Sequence, residues 1–191
     1  MYLLTHSLLS SWLWSMEDVE RDTMSEFVRT LKRERTEPTP AMLKGREFEK
    51  DVCDCILHPD KYSFPITDIA SAVRGARQQV KVSYPATIGG VDYLLYGVMD
   101  FVRGGIVFDT KFSASYTVGK YLNSTQHPMY FRLLTEATRF VYLISNGRVA
   151  YAEEYFPDKT PPIDQTIRDF AGWLRDRPEL EAIYRDKWVA R

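Results

Sequence analysis

Asp100, Asp109 and Lys111 stand on two neighbouring stretches, about 91–103 and 106–112, that read as β-strands joined by Gly104-Gly105. Gly-Gly permits the positive φ values that a tight hairpin turn requires. If the two glycines form the whole loop, Arg103 pairs with Ile106, and counting outward sets Asp100 opposite Asp109. Directly opposed side chains have Cβ atoms about 4.5 to 5.5 Å apart, so the two carboxylates repel. Their neighbours on that face are Val98, Val102 and Val107, and the other face carries Met99, Phe101, Ile106, Phe108 and Phe112. Both faces therefore read as buried. Buried, opposed carboxylates are costly unless one is protonated or a cation lies between them. Lys111 is the third polar residue of the face, and such a local conflict tends to mark a functional site. The alternative is a structural Asp109–Lys111 ion pair with Asp100 at a sheet edge.

Two further groups stand near these strands in sequence. A helix starting at Thr39-Pro40, with proline at its first position, runs to about Leu57. Its apolar residues Met42, Val52, Cys53 and Ile56 fall on one face with Gly45, and Glu49 sits in the middle of that stripe. A carboxylate there is rare unless it is paired or binds metal, and Gly45 leaves room for close approach. A solvated Glu49 at the helix's open end is the alternative. Gln126 and Tyr130, four apart, share one face of a helix at about 124–138. An amide and a phenol so placed can orient a phosphate or a water, or simply form a mixed polar face.

The elements that must position these groups follow from periodicity. A helix is expected over 5–16 with Thr5 as its cap, then a charged helix over 17–35, whose Lys32-Arg33-Glu34-Arg35 run reads as a solvated face. A short helix near 67–76 precedes a three-stranded meander at 78–88, 91–103 and 106–112. Residues 113–123 read as irregular. After the 124–138 helix come strands at 139–145 and 148–155 around an Asn146-Gly147 turn. Helices at 163–175 and 178–189 close the chain. The expectation is an α/β fold with a mixed sheet, in one domain over 1–191: a helical segment at 1–35, a core at 41–156 and C-terminal helices at 160–191.

The 191 residues suffice for one core, roughly 70% of the unfolded chain's surface being buried at such sizes. Hydrophobic residues at 45% and charged ones at 27% exclude disorder, collagen and a coiled coil as the dominant architecture. The net charge of -1 gives no global basic field, though it leaves room for a local basic groove. Cys53 and Cys55 are too few for a disulfide framework, so a reducing, cytoplasmic setting is the simplest reading. The Leu- and Trp-rich start reads as a buried amphipathic helix, with no membrane partner. His6, His58 and His127 lack metal-ligand spacing. Trp12 and Trp14 read as packing, with base stacking as the minor alternative.

Together these residues resemble the PD-(D/E)XK nuclease superfamily, and within it the RecB-like and lambda-type exonuclease branch, from about Leu4 to Phe156. The stretch from Thr5 to Leu13 is similar to the opening S-x-L-x-x-aromatic-L helix. Gly45-Arg46-Glu47-Phe48-Glu49 resembles G-x-x-x-(H/E), Gly97-Val98-Met99-Asp100 the G-x-x-D strand, Phe108-Asp109-Thr110-Lys111 the (D/E)-x-K strand, and Gln126 to Tyr130 the Q-x-x-x-Y helix. The resemblance implies a restriction-endonuclease-like core in the order α-β-β-β-α-β. It implies metal-dependent phosphodiester hydrolysis with Mg²⁺ or Mn²⁺ held by Asp100, Asp109, Glu49 and the main chain of Thr110, and catalytic roles for Glu49, Asp100, Asp109, Lys111, Gln126 and Tyr130. Oxygen ligands suit those ions. A buried lysine beside metal has a lowered pKa, suited to a general base. The four cysteines of an iron–sulfur cluster, present in some members, are missing.

DNA affinity is expected from Lys44, Arg46, Lys120 and Arg132, with Arg74 and Arg77 behind them. DNA is the expected partner, and the branch adds a single-strand annealing recombinase and a homo-oligomer. The expected activity is a DNA exonuclease of phage-type or bacterial recombination and repair. A structure-selective endonuclease or resolvase, or an idle DNA- or protein-binding scaffold, are the alternatives.

Overall fold

The computed structural model describes residues 1–17 and 22–190. Residues 18–21, part of the expected 17–35 helix, and Arg191 lie outside the described residues.

The chain begins with a strand the sequence reading lacks, β1 (Tyr2–Thr5), which leads directly into α1 (His6–Glu17). Thr5 ends β1 and its hydroxyl accepts the Leu8 N–H at 3.2 Å, so it caps α1 as expected. The second helix, α2, covers Thr23–Leu31, with Asp22 accepting from the Ser25 N–H at 3.3 Å. It stops short of the 32–35 charge run, because Arg33 takes a left-handed φ of 57° and lays its guanidinium 4.2 Å from the Trp188 ring centre. Helix α3 (Pro40–Leu57) starts on Thr39, whose hydroxyl accepts from Met42 N–H at 3.2 Å. Then follow α4 (Ile66–Ala72), β2 (Arg77–Ile88), β3 (Val91–Arg103), β4 (Ile106–Phe112), α5 (Gln126–Leu133), β5 (Arg139–Ser145), β6 (Ala150–Tyr155), α6 (Ile163–Arg175) and α7 (Pro178–Lys187).

One mixed sheet runs β1-β3-β4-β5-β6, with β2 also paired to β3. β1 lies parallel to β3 and β4 parallel to β5, while the other pairs are antiparallel. Parallel neighbours need a crossover, and α5 supplies it between β4 and β5. β5 is buried on both faces, as its unbroken Phe140-Val141-Tyr142-Leu143-Ile144 run demands. Phe140, Tyr142 and Ile144 enter one core with α1, α2, α5, α6 and α7; Val141 and Leu143 enter the other with α3 and α4. Helices therefore cover both faces of the sheet. Among the described residues no helix is long and apolar enough to cross a membrane.

Three local expectations need correction. α5 is shorter than 124–138: it ends at Leu133, where a turn closed by Ala137 N–H on Leu134 C=O follows. The β5–β6 connection has four residues instead of two. The Asn146 side-chain oxygen accepts from both Arg148 N–H and Val149 N–H at 2.9 Å, widening the turn. The buried stripe of α3 is Phe48, Val52 and Cys55, while Met42 is 49% exposed and Cys53 only half-buried. Phe48 meets Phe112 and carries the stripe onto the sheet.

Candidate active site

β3 changes character at Asp100. Before it, Tyr93, Leu95 and Met99 all enter the core under α1 and α5; after it, Phe101 enters the opposite core. Met99 and Phe101 therefore do not share a buried face, against the simple alternation read from sequence. The reason lies across the sheet. Gln78 pairs with Phe101 and Val80 with Met99, so Gln79 falls across from Asp100, outside the paired positions. Gln79 takes a φ of 49°, a region costly for a residue with a Cβ. The ladder to β4 also ends there, running only from Arg103–Ile106 to Phe101–Phe108.

Asp100 and Asp109 are thus not a ladder pair, as counting from the hairpin suggested. Asp100 lies on an interior strand and reaches past the end of the ladder. Its Oδ2 accepts the Thr110 N–H at 3.0 Å, with the Thr110 hydroxyl at 3.4 Å. Burial and the charges of Asp109 and Glu49 push its carboxyl up to about 7, against the opposing pull of that N–H and of Lys111.

Asp109 is almost fully buried. Its Oδ1 accepts from Gln126 Nε2 at 2.5 Å, and its Oδ2 lies 2.7 Å from the Lys111 ammonium. The ion pair considered as a purely structural device therefore exists, but as part of a larger cluster. Burial would lower the Lys111 pKa, yet Asp109, by charge and hydrogen bond, and Asp100 outweigh it and hold the ammonium above its ordinary value. In this cluster two acids beat desolvation.

Tyr130 donates to the Val98 carbonyl at 2.6 Å and does not reach the carboxylates. The first glycine of the G-x-x-D stretch explains itself here. A Cβ on Gly97 would stand 2.6 Å from the Tyr130 ring and 2.9 Å from Leu133, so only glycine lets α5 lie this close to β3. Gly45, by contrast, faces open space.

Glu49 is half-buried and turned aside: its Oε1 accepts from Gln79 Nε2 at 2.5 Å. Burial first, then Asp109, raises its carboxyl above the usual range. Among the described residues no three His, Cys, Asp or Glu side chains converge closely enough to hold one ion. Asp100 and Asp109 form a pair, with Glu49 held beside it by Gln79. The pair still has the chemistry of a hard-cation site. Asp109 Oδ2 is buried with the Lys111 ammonium as its partner, Asp100 is crowded toward its neutral form, and Mg²⁺ uses one or two carboxylates while keeping several waters. Thr110 serves here through its N–H, as the donor that fixes Asp100.

Lys111 and Gln126 form part of the wall of an open cleft of about 780 Å³, faced by His6, Ser7, Ser10 and Trp14 of α1. Burial and then Lys111 lower the His6 imidazole to about 4, so it stands neutral. Lys120 lines the same cleft and donates to Ser113 Oγ at 2.8 Å. Lys44 is exposed, 5.8 Å from the Phe112 ring centre, and Arg46 is exposed too. Arg132 is not free for DNA: it pairs with Asp164 at 3.2 Å and lies 4.8 Å from the Tyr84 ring centre. Trp12 is core, 5.3 Å from Phe170, whereas Trp14 is 40% exposed. His127 is buried and stacked on Tyr155 at 3.9 Å.

Two supporting residues escaped the sequence reading. One is Gln79. The other is Glu153 on β6, which accepts from Tyr116 hydroxyl at 2.7 Å, from Tyr121 N–H at 3.2 Å and from Tyr155 hydroxyl. It ties down the 113–124 segment that carries Lys120. The signal available was the Glu153-Glu154 pair in a strand with Tyr151 and Tyr155, facing a segment with two more tyrosines.

No family model matches the chain, and no curated protein matches it. Solved structures do. SSO0001 superposes with a TM-score of 0.54 at 14% identity, covering 93% of this chain and 77% of its own. LHK-Exo, solved in complex with dAMP, superposes with a TM-score of 0.50 at 14% identity, covering 95% and 89%. The fold is restriction-endonuclease-like. Such a likeness concerns the path of the chain; the chemistry rests on the residues described above.

Proposed function

We propose that this chain is a Mg²⁺- or Mn²⁺-dependent DNA exonuclease of the RecB-like, lambda-type branch, acting in phage-type or bacterial recombination and repair. The observation that carries the reading is the aspartate pair. Asp100 and Asp109 meet where both ladders of β3 lapse, and Asp109 is bonded at once to Lys111 and Gln126, which open onto the cleft. The nuclease-type fold, shared with an exonuclease solved with a nucleotide, supports the same reading.

A bound divalent ion supplies charge neutralisation at the phosphate and an acidified water. Asp100 and Asp109 would hold it, with Glu49 available once released from Gln79. The chain's own residues do the rest. Lys111, kept protonated by its acids, donates to a phosphate oxygen in the cleft and offsets the charge that builds up there. Gln126 fixes the Asp109 carboxylate, so that its second oxygen faces Lys111. Thr110 holds Asp100 through its main-chain N–H, which rotation of the Thr110 side chain leaves in place. Lys120, and from outside the cleft Lys44 and Arg46, attract the backbone without reading sequence.

The test is cleavage of end-labelled linear duplex and single strands with Mg²⁺ or Mn²⁺, beside closed circular DNA. Wild type should degrade linear DNA from its ends and spare the circle, and Asp100→Ala and Lys111→Ala should not cut. Equal cutting by all three proteins overturns the assignment. Cutting of closed circles turns it into an endonuclease.

A further inference from the structure

At the far end of β3 from Asp100 is a second concave site. A half-enclosed cavity of about 160 Å³ lies between β1, the β2–β3 turn, α6 and α7. Tyr93 is seven residues from Asp100, roughly 23 Å along an extended strand, so the cavity belongs to another part of the molecule. Its walls are mostly apolar: the rings of Tyr2, Tyr93 and Tyr184, with Val91, Ala171 and Leu174. The Tyr2 and Tyr184 rings meet at a tilt, 5.7 Å between centres, and form one side. Tyr93 is 98% buried, since only 2% of it is exposed, and its hydroxyl joins no hydrogen bond among the described residues. Arg175 and Arg185 both act on that phenol.

The lip is basic. Arg185 pairs with Glu181 at 2.8 Å. Arg168 and Arg175 line the cavity, are exposed, and have no ion-pair partner among the described residues. The stem of Arg168 rests against Gly89 of the turn, which sets its guanidinium at the rim. An apolar cavity near 150 Å³ takes about one benzene-sized group, which is too small for a nucleoside. A ring or branched aliphatic side chain fills it, and the two free guanidinium groups ask for a carboxylate immediately beside that side chain. A chain terminus supplies both from one residue, and guanidinium–carboxylate pairing is bidentate and directional.

We propose that this cavity is a docking site for the C-terminus of an acidic partner protein, with the terminal apolar side chain in the pit and its α-carboxylate and upstream acids on the unpaired Arg168 and Arg175. The occupant is chosen by charge complementarity and size, and it stands apart from the nuclease reading. It would hold the chain to a second protein while the cleft at the other end of β3 stays open.

Fluorescence polarisation with a labelled peptide Gly-Ser-Asp-Asp-Asp-Gly-Leu-Phe tests it. The free-acid peptide should bind saturably to the intact chain. Its C-terminal amide, and the same peptide ending in alanine, should each bind at least tenfold more weakly. Arg168→Ala with Arg175→Ala should lose binding by a similar factor, while urea unfolding and DNA cleavage stay at the wild-type level. Because the amide comparison uses wild-type protein, a folding defect in the variant cannot blur the answer. No binding at about 1 mM peptide, a contact worth less than about 4 kcal/mol, overturns the proposal. So does equal binding of acid and amide, or displacement of the peptide by an equal concentration of dAMP, which would make the pit a nucleotide site.

Discussion

From Tyr93 to Tyr96, strand β3 is paired on both sides and drops its odd-numbered residues into one core. A few residues on, at Asp100, its pairing with both β2 and β4 lapses and its buried side chains change faces. The first stretch is what a sheet does when hydrophobic burial alone decides. The second leaves main-chain donors unclaimed by any ladder, and the Thr110 N–H goes to a carboxylate instead. Regular pairing supplies rigidity, and its interruption supplies polar groups that a site can use.

The sharpest way to separate the two regimes is to change one residue of each. Asp109→Asn keeps the shape of the side chain and should lower the cleavage rate by about 10³-fold, in the range seen when one preorganised electrostatic contact is removed. Single-turnover assays on linear DNA read this out. On the regular side, Phe170 is fully buried among Trp12, Phe27 and Tyr184. Phe170→Ala should cost about 3–5 kcal/mol in urea unfolding, with cleavage per folded molecule unchanged. If both variants lose stability and cleavage together, the division between the regimes fails.

A smaller effect is expected from pH in the presence of a chelator. The Asp100 carboxyl titrates near 7 in the folded chain, against a usual value of 3.8. Between those values the native state binds the extra proton, so stability falls as pH rises through that window and levels off above it. The drop should be on the order of 2 kcal/mol, after allowing for partial solvent screening. Asp100→Asn should remove most of the slope, leaving the smaller part that Glu49 carries. A flat wild-type profile would mean that the carboxylates are less crowded than the geometry implies. The smallest effect belongs to Gln79→Gly. It relieves the left-handed backbone, worth about 1 kcal/mol, and frees Glu49, so stability should hold or rise slightly while cleavage shifts a few-fold.

Sequence reading went far because periodicity and turn chemistry are local. Gly89-Gly90 and Gly104-Gly105 set the meander, and α6 and α7 follow their apolar stripes. It failed where a residue answers to something distant. β1 was missed because four residues, Tyr2–Thr5, carry too little pattern to be told from the start of a helix. The Asp100–Asp109 pairing was misread because extrapolating a hairpin assumes an unbroken ladder, and the break depends on Gln79, twenty-one positions before Asp100 in the chain. Arg132 looked free for DNA because nothing nearby in sequence announces Asp164.

Glu153 anchors three tyrosines' worth of chain from the side of the sheet away from the carboxylates' own strands. One side chain on β6 therefore governs how far the Lys120 segment can drift. A search for variants confined to residues that touch the cleft would pass it by. Yet Glu153→Gln, or a change at Tyr116, would retune the width of the opening while every catalytic group stayed in place.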